Sequence, residues 1–174
     1  VTGGAGFIGS HMAEKLIALG NEVVIVDNLS TGFRRNIPAE VEFVPGDVAE
    51  ADELEQAFRL PVDAVFHIAG QASTIKSFQD PEDDLRTNLR GTINVTLACL
   101  RHHVPRLLFA SSMTVYGHPS VIPTPETEPA RPISYYGITK YAAERFVHAT
   151  AERTDLDFEF NVTSFRMFNV YGER

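Results

Sequence analysis

Apolar runs and helical patterns alternate along the chain. Ile8, Met12, Leu16 and Leu19 recur at the spacing of one helix face, and Gly20 follows the last of them. This pattern predicts helices over residues 8–19, 52–59, 81–100 and 134–153. Short apolar runs predict strands over residues 22–27, 41–44, 62–67, 106–110 and 158–165. Strands that alternate with helices indicate an α/β fold, a doubly wound parallel sheet with helices on both faces.

Both ends of the sequence interrupt this alternation. A glycine-rich turn begins at Gly3, so only Val1 and Thr2 remain for the strand that should lead into it. Residues 171–174 read as part of a loop, and the proline-rich segment 119–132 is expected to contain no regular element. We therefore expect residues 1–174 to form one domain that is truncated at both ends.

The turn at the start of the chain carries chemistry through its glycines. Gly3, Gly6 and Gly9 recur every three residues directly before the first predicted helix. Glycines in such a turn allow a tight bend, a close approach of the backbone to a pyrophosphate and close packing of the helix on the sheet. The pyrophosphate would lie on the unpaired N–H groups at the helix start. The alternative is an ordinary glycine turn.

Asp27 strengthens the interpretation as a dinucleotide site. It ends a predicted strand 18 residues after Gly9, where a carboxylate would bond the hydroxyls of an adenosine ribose. A 2′-phosphate would meet this negative charge, so the sequence favours NAD over NADP. Arg34 and Arg35 weaken that preference, since nearby arginines can hold a 2′-phosphate. A solvated strand end is the alternative for Asp27 taken by itself.

Tyr136 and Lys140 form a candidate acid/base pair. They are four residues apart in a predicted helix and so share one face, one turn apart. A lysine ammonium close to a phenol favours the phenolate, so we expect Lys140 to lower the pKa of Tyr136. The resulting base could take a hydroxyl proton while hydride leaves to a cofactor. Tyr135 is the rival tyrosine, but only Tyr136 has a lysine four residues on.

Two hydroxyl residues follow the predicted strand 106–110. Ser111 and Ser112 should emerge at the carboxyl edge of the sheet, where doubly wound folds bind their ligands. Turn residues that satisfy local backbone groups are the alternative. His67, at the end of another strand, is expected to be a structural histidine with satisfied hydrogen bonds rather than a base.

Residues 1–10 and 27–32 resemble the extended short-chain dehydrogenases/reductases, the NAD-dependent epimerase/dehydratase family, and UDP-glucose 4-epimerases most of all. The resemblance extends over nearly the whole chain, through segments 46–48, 67–73, 111–117 and 166–172. It implies that residues 1–174 are the NAD-binding, Rossmann-like domain and that most of the C-terminal substrate domain is absent. The sequence departs from the family at Met167, where tyrosine is common, and at Glu173, where proline is common.

The resemblance also implies roles for individual residues. Ser112, Tyr136 and Lys140 would be catalytic, and Ser112, Tyr136 and Asn169 would contact the substrate. The residues expected to bind NAD are Gly3, Gly6, Phe7, Ile8, Gly9, Asp27, Asn28, Ser30, Thr31, Gly32, Asp47, Val48, Ile68, Ala69, Gly70, Gln71, Asn88, Ser111, Tyr136, Lys140 and Phe168.

Met113 and Thr114 narrow the chemistry that the resemblance implies. Family members that eliminate water from a 4-keto sugar carry Asp-Glu at these positions, and decarboxylases tend to carry Glu at the second. Neither residue here offers a carboxyl group. We therefore expect epimerisation at C4 of a UDP-hexose through transient oxidation to a 4-keto sugar. Another NAD-dependent nucleotide-sugar dehydratase or reductase, or a non-catalytic NAD-binding module, remains the alternative.

Composition excludes other classes of function. The 174 residues carry a formal net charge of −8, which offers no surface for nucleic acid or an anionic membrane. No apolar run approaches the ~20 residues of a membrane span, and no signal peptide is recognised. The single Cys99 excludes an internal disulfide, and the histidines lack metal-ligand spacing. We expect a cytoplasmic, metal-free enzyme, and the resemblance implies a homodimer through helices 81–100 and 134–153.

Overall fold

Five parallel strands form one sheet in the computed structural model, which describes residues 1–173. The strands are β1 (Val24–Asp27), β2 (Glu42–Pro45), β3 (Val65–His67), β4 (Arg106–Ser112) and β5 (Asn161–Met167). Thr2 pairs in parallel with Val26 of β1 and with His67 of β3 and so joins the two halves. The spatial order is β2, β1, Thr2, β3, β4, β5. This order confirms the predicted α/β fold.

Helices connect the strands except between β1 and β2, where the connection contains only a 3₁₀ turn, Arg34–Asn36. They are α1 (Phe7–Ala18), α2 (Ala51–Leu54), α3 (Thr74–Gln79), α4 (Pro81–Leu85), α5 (Gly91–Arg101) and α6 (Tyr135–Ala151). A π-helical stretch, Arg86–Arg90, joins α4 to α5. Within residues 1–173, no helix combines the length and the apolar character that a membrane span requires.

Apolar side chains pack on both faces of the sheet. On one face, Leu107 and Phe109 of β4 are fully buried in a cluster with Val95 of α5 and Val147 of α6. On the other face, Ile25 of β1 belongs to a smaller cluster with residues of α1. Alternate residues of a strand point to opposite faces, so each strand contributes to both layers. The two clusters fix the sheet between its helices and leave its carboxyl edge open.

Polar side chains cap the helices that border this edge. Ser134 accepts a hydrogen bond from the Gly137 N–H at 3.0 Å and so starts α6 directly before Tyr136. Asp80 caps α4 in the same way, and Pro81 occupies the first helical turn, where its missing N–H costs nothing. Ser73 caps α3 by accepting from the Lys76 N–H. These caps fix where each helix begins beside the edge.

Several predicted boundaries are wrong. The predicted strand 158–165 begins at Asn161 and runs to Met167, because its partner β4 extends to Ser112 and pairs with it along its full length. Strands predicted to begin at 22 and 62 begin at Val24 and Val65. The predicted helix 52–59 is α2 followed by a 3₁₀ turn, and α3 was not predicted. Segment 119–132 contains no regular element, as predicted.

A buried ion pair holds α6 against β4 and β5 below the catalytic edge. The guanidinium of Arg166 on β5 donates to both carboxylate oxygens of Glu144 on α6, the shortest contact being 2.6 Å. Ser111 of β4 donates to the same carboxylate at 2.5 Å. The Arg166 guanidinium also lies over the Tyr116 ring, 4.7 Å from its centroid. Burial alone would raise the pKa of Glu144, but the hydrogen bonds from Arg166 and Ser111 hold this pKa below its usual value.

We expect Arg166→Met to lower the free energy of unfolding by about 3 kcal/mol, because it leaves the buried Glu144 carboxylate without its cation. Urea unfolding of the full-length protein measures this. Arg153→Met is the control, since Arg153 pairs with Asp155 on the exposed surface and its loss should leave the urea midpoint in place. Equal midpoints for wild type and Arg166→Met would contradict the structural role of the pair.

Candidate functional site

Two adjoining cavities open at the carboxyl edge of the sheet. The first, about 630 Å³, lies beside the glycine turn and the ends of β1 and β2. The second, about 560 Å³, lies between the end of β4, the start of α6 and the segment after β5. Phe7, Ile8, Ile68, Gly70 and Gln71 line both, so the cavities form one continuous crevice. Such an edge is where parallel α/β sheets bind ligands.

The glycine turn packs too closely for side chains. Gly3 has a φ of +70°, and a Cβ there would lie 2.7 Å from the Ala69 nitrogen. A Cβ on Gly9 would collide with the Gly3 carbonyl oxygen. A Cβ on Gly6 would meet the same oxygen at 3.3 Å, and Gly6 lines the first cavity. The turn therefore brings bare backbone to the cavity wall.

The N-terminus of α1 faces this bare backbone. Gly6 precedes the helix without a side-chain cap, and the first turn contains no acidic residue. The N–H groups of a first helical turn lack partners within the helix and carry partial positive charge. These features suit a pyrophosphate, as the glycine spacing predicts.

Asp27 lies at the wall of the first cavity and is 9% exposed. Its Oδ2 accepts a hydrogen bond from the Ala5 N–H at 2.9 Å, and its Oδ1 accepts from the Leu29 N–H at 2.7 Å. The carboxylate therefore fixes the glycine turn in addition to its predicted contact with a ribose. The guanidinium groups of Arg34 and Arg35 lie over the Phe43 and Phe33 rings instead of at the cavity. Neither arginine is therefore placed to bind the 2′-phosphate of NADP.

A charged cluster borders the far end of the first cavity. Asp47 accepts from Arg86 at 2.9 Å and from Asn28 at 3.2 Å. Burial alone would raise the pKa of Asp47, but bonds from the Ala49 N–H and from Arg86 lower it. Arg86 lies in the π-helical stretch and lines the cavity, which the sequence did not predict. A regular helical period does not predict that Arg86 faces the cavity, because the π-helical stretch changes which side chains face the crevice.

Ser112, Tyr136 and Lys140 all line the second cavity. The Ser112 side chain faces the Tyr136 phenol and lowers its pKa, although burial outweighs this effect. The Ser112 oxygen accepts from the Thr114 hydroxyl at 2.9 Å, which orients it. Tyr135 points elsewhere, with its ring packed against Phe78. The structure thus brings together the three side chains that the sequence predicts to be catalytic.

The pKa of Tyr136 is shifted in the direction opposite to the prediction. Burial raises it, the Ser112 hydrogen bond lowers it, and the negative charge of Asp84 raises it further, so that the pKa lies above its usual value. The expectation that Lys140 brings this pKa down is wrong for this structure. Desolvation penalises the phenolate more strongly than its hydrogen bond favours it.

Lys140 is almost fully buried, at 4% exposure. Its ammonium lies over the Phe109 ring, 4.4 Å from the centroid. Burial lowers the pKa of Lys140 to about 8, against the charges of Asp84 and Glu144, which raise it. Lys140 is therefore a cation at pH 7 that loses its charge as the pH rises through about 8.

The other predicted site residues divide between the two cavities. Those at the first cavity are Gly3, Gly6, Phe7, Ile8, Gly9, Asp27, Asn28, Ser30, Thr31, Asp47, Val48, Ile68, Ala69, Gly70 and Gln71. Those at the second cavity alone, besides Ser112, Tyr136 and Lys140, are Ser111, Phe168 and Asn169. The hydroxyl of Ser111 is bound to Glu144, so only the remainder of this residue can face a ligand.

Gly32 and Asn88 line neither cavity. A Cβ on Gly32 would lie 2.7 Å from the Ala5 Cβ, so this glycine supports the glycine turn from behind. Asn88 is fully buried, and its amide nitrogen donates to the Gln71 carbonyl and to Asp84. The Asn88 Oδ1 has no hydrogen-bond partner among residues 1–173. Both residues support the crevice wall.

His67 is a structural residue, in line with the sequence analysis. Its ring nitrogens are hydrogen-bonded to the hydroxyls of Thr2 and Thr92, at 2.7 Å and 3.0 Å. Burial and then the charge of Lys140 lower the pKa of His67 to about 3, so it is neutral at pH 7. In residues 1–173, no three His, Cys, Asp or Glu side chains are grouped to hold a metal ion.

Comparison with known proteins gives consistent relatives. The family described as "Epimerase: NAD dependent epimerase/dehydratase family" matches the chain over residues 1–174. The chain is 38% identical to a putative UDP-glucose 4-epimerase of Methanocaldococcus jannaschii over 175 aligned residues, covering 100% of this chain and 56% of that protein. The chain thus spans about half the length of the curated relatives it matches.

Solved structures share the fold closely. A Thermotoga maritima UDP-glucose 4-epimerase with UDP-glucose superposes with a TM-score of 0.92 at 38% identity, covering 98% of this chain and 55% of that one. A Thermus thermophilus UDP-glucose 4-epimerase in complex with NAD gives a TM-score of 0.92 at 41% identity, covering 99% and 55%.

We expect Gly6→Ala to weaken NAD binding about ten-fold or more while the protein stays folded, because its Cβ fills cavity space and touches only one backbone atom closely. Gly9→Ala should also lower the free energy of unfolding, by about 2 kcal/mol or more, because its Cβ meets rigid backbone. Calorimetric titration with NAD and urea unfolding of the full-length variants separate the two effects. Unchanged NAD affinity in Gly6→Ala would contradict the assignment of this cavity.

Proposed function

Because this chain belongs to the NAD dependent epimerase/dehydratase family, we propose that the full-length protein epimerises C4 of a UDP-hexose with NAD as cofactor. The supporting observation is the chemical character of the second cavity. Its lining offers a hydroxyl, a phenol and an ammonium, from Ser112, Tyr136 and Lys140. Among the described residues that line it, none is Asp, Glu or His.

The first cavity fits NAD. Bare backbone at the glycine turn and the uncapped start of α1 suit its pyrophosphate, and Asp27 lies where a ribose hydroxyl would be bound. Without a cation from Arg34 or Arg35, a 2′-phosphate would face Asp27 unbalanced. The nicotinamide ring supplies reversible hydride transfer to and from C4 of the sugar.

The side chains of this protein then handle the proton. As the phenolate, Tyr136 would take the proton from the C4 hydroxyl while hydride leaves C4, and the phenol so formed would return that proton once hydride is given back on the other face. Ser112 shares that hydrogen bond through its contact with the phenol. Lys140 lines the same cavity with its ammonium, and burial keeps the resting pKa of Tyr136 high. Epimerisation needs no further acid or base.

A dehydratase would need a further acid or base. Elimination of water from a 4-keto sugar requires an acid or base near C5 and C6, and Met113 and Thr114 at the wall of the second cavity provide none. The Thr114 hydroxyl is already engaged in a hydrogen bond to Ser112. A 4-keto reductase or a non-catalytic NAD-binding module remains the alternative, and we take the former to be the closer rival.

Incubation of the full-length protein with UDP-galactose tests the proposal. We expect UDP-glucose to form without net production of NADH, since hydride is removed and returned at the same carbon. Chromatography of the nucleotide sugars and absorbance of the reduced cofactor measure both. Net cofactor turnover or a 4-keto-6-deoxy product would refute epimerisation. Tyr136→Phe should reduce turnover at least about 100-fold yet still bind NAD, and full activity in this variant would remove Tyr136 from the mechanism.

We also infer that the protein forms a homodimer through the helical segment from 81 to 101 and through α6. Leu85, Leu89, Ile93 and Leu97 follow one another at four-residue spacing on the first segment. Leu85 is 52% exposed and Leu97 is 40% exposed, and Ile138 of α6 is 50% exposed. Such apolar stripes are typical of helical interfaces. The cytoplasmic location expected from the sequence stays a prediction.

Leu97→Glu should weaken the dimer at least about ten-fold, because it places a charge at an exposed position of the apolar stripe. Sedimentation of the full-length protein at micromolar concentration measures the association. Leu60→Glu is the matched control, since Leu60 is 62% exposed and belongs to neither helical segment. A monomeric wild type at that concentration would disprove the dimer.

A further inference from the structure

We propose that Asp84 is a positioning residue for the proposed epimerisation. Its buried carboxylate ties three segments of the crevice together and supplies an uncompensated negative charge beside Lys140 and Tyr136. This inference rests on the proposed function for its catalytic consequence. The sequence analysis assigned Asp84 no role, and Asp84 lines neither cavity.

Asp84 lies on α4 and is 0% exposed. Its Oδ1 accepts from the Gln71 amide at 2.8 Å and from the Asn88 amide at 3.0 Å, and its Oδ2 accepts from the Thr139 hydroxyl at 2.6 Å. A fully buried carboxylate without partners would be very costly, so these bonds are what allow it to be there.

The three donors come from different parts of the crevice. Gln71 belongs to the loop after β3 and lines both cavities. Asn88 lies in the π-helical stretch, and Thr139 lies in α6 between Tyr136 and Lys140. Asp84 therefore fixes the helix of the catalytic pair relative to the loop that passes under the cofactor.

Charge provides the second part of the argument. Neither Asp84 nor Lys140 forms an ion pair within 4.0 Å in the part of the chain that the structure describes. Asp84 nevertheless acts on Lys140 and Tyr136 through space, and it raises the pKa of both. Low polarisability in a buried site makes such an interaction stronger than it is in water. The ammonium is thus supported electrostatically while its N–H groups stay available to a ligand.

The other groups around Lys140 do not supply an unpaired negative charge. Glu144 lies one turn further along α6, but its carboxylate is paired with the Arg166 guanidinium at 2.6 Å. His67 on β3 is neutral at pH 7, and Phe109 on β4 contributes only its ring. Tyr136, on the same helix, is neutral in its resting state. Asp84 is the carboxylate near Lys140 that no arginine or lysine neutralises directly.

Asp84→Asn in the full-length protein tests the inference, since asparagine keeps the shape and removes the charge. Loss of a negative charge favours the phenolate of Tyr136 and disfavours the ammonium of Lys140, so the pKa of each should fall, by about one pH unit. Ultraviolet titration of phenolate absorbance without added cofactor, with the signal of the corresponding Tyr136→Phe protein subtracted, measures the first shift. Both limbs of the pH profile for epimerisation should move to lower pH.

Glu82→Gln is the control, because it removes a carboxylate from the same helix at an exposed position and should move neither the titration nor the profile. Thr139→Val removes one bond to Asp84 and keeps its charge, so it should lower the rate without moving the limbs. Asp84→Ser, a second neutral variant, should shift the titration in the same direction if Asp84→Asn fails to fold.

An unchanged Tyr136 titration in folded Asp84→Asn, or in folded Asp84→Ser, would overturn the proposal. In Asp84→Asn, a lower rate with both limbs of the pH profile unmoved would mean that Asp84 has only a structural role. That result would also overturn the proposal. The phenolate titration does not depend on the reaction. If UDP-galactose is not converted but the titration shifts, the proposed function fails and the role of Asp84 in the electrostatics of the crevice stands.

Discussion

Burial of the Lys140 ammonium without a direct ion pair is the constraint on which the crevice depends. A charge removed from water must be stabilised by its surroundings, and here the ring of Phe109 and the carboxylates of Asp84 and Glu144 do so without blocking the ammonium. Gly70 is part of the same arrangement, since a Cβ there would lie 2.9 Å from the Asn88 Oδ1 and 3.8 Å from the Lys140 Nζ. The packing of this wall leaves the ammonium room to face a ligand.

The cofactor end of the crevice depends on close backbone contacts instead of charge. Thr2 lies between β1 and β3 at the centre of the sheet, and the Gly3 N–H donates to the Val26 carbonyl at 2.8 Å. Asp27 then holds the turn through the Ala5 N–H. These contacts place the start of α1 at the cavity wall, so the glycine turn and the side chains of Tyr136 and Lys140 lie along one edge of the same parallel sheet.

The two ends are coupled by residues that belong to neither cavity alone. Glu144 and Arg166 join α6 to β4 and β5, while Asp84 joins α6 to the loop after β3. Because α6 carries Tyr136 and Lys140, its position sets the distance between the phenol and the cofactor site. Buried polar groups with satisfied partners give such a site its geometry.

Local spacing in the sequence determined much of this protein. The three-residue glycine period, Asp27 at a strand end, and Tyr136 four residues before Lys140 express constraints within a turn, a strand or a helix, and the structure brings them to one crevice. The tertiary structure alone decided what depends on distant packing. It placed Arg86 at the crevice through a π-helical stretch and buried Asp84 on α4, and it set the bounds of β5 by pairing this strand with the full length of β4. The tertiary structure also raises the pKa of Tyr136, which was expected to be lowered. Burial depends on the whole fold, and the four-residue spacing of Tyr136 and Lys140 carries no information about it.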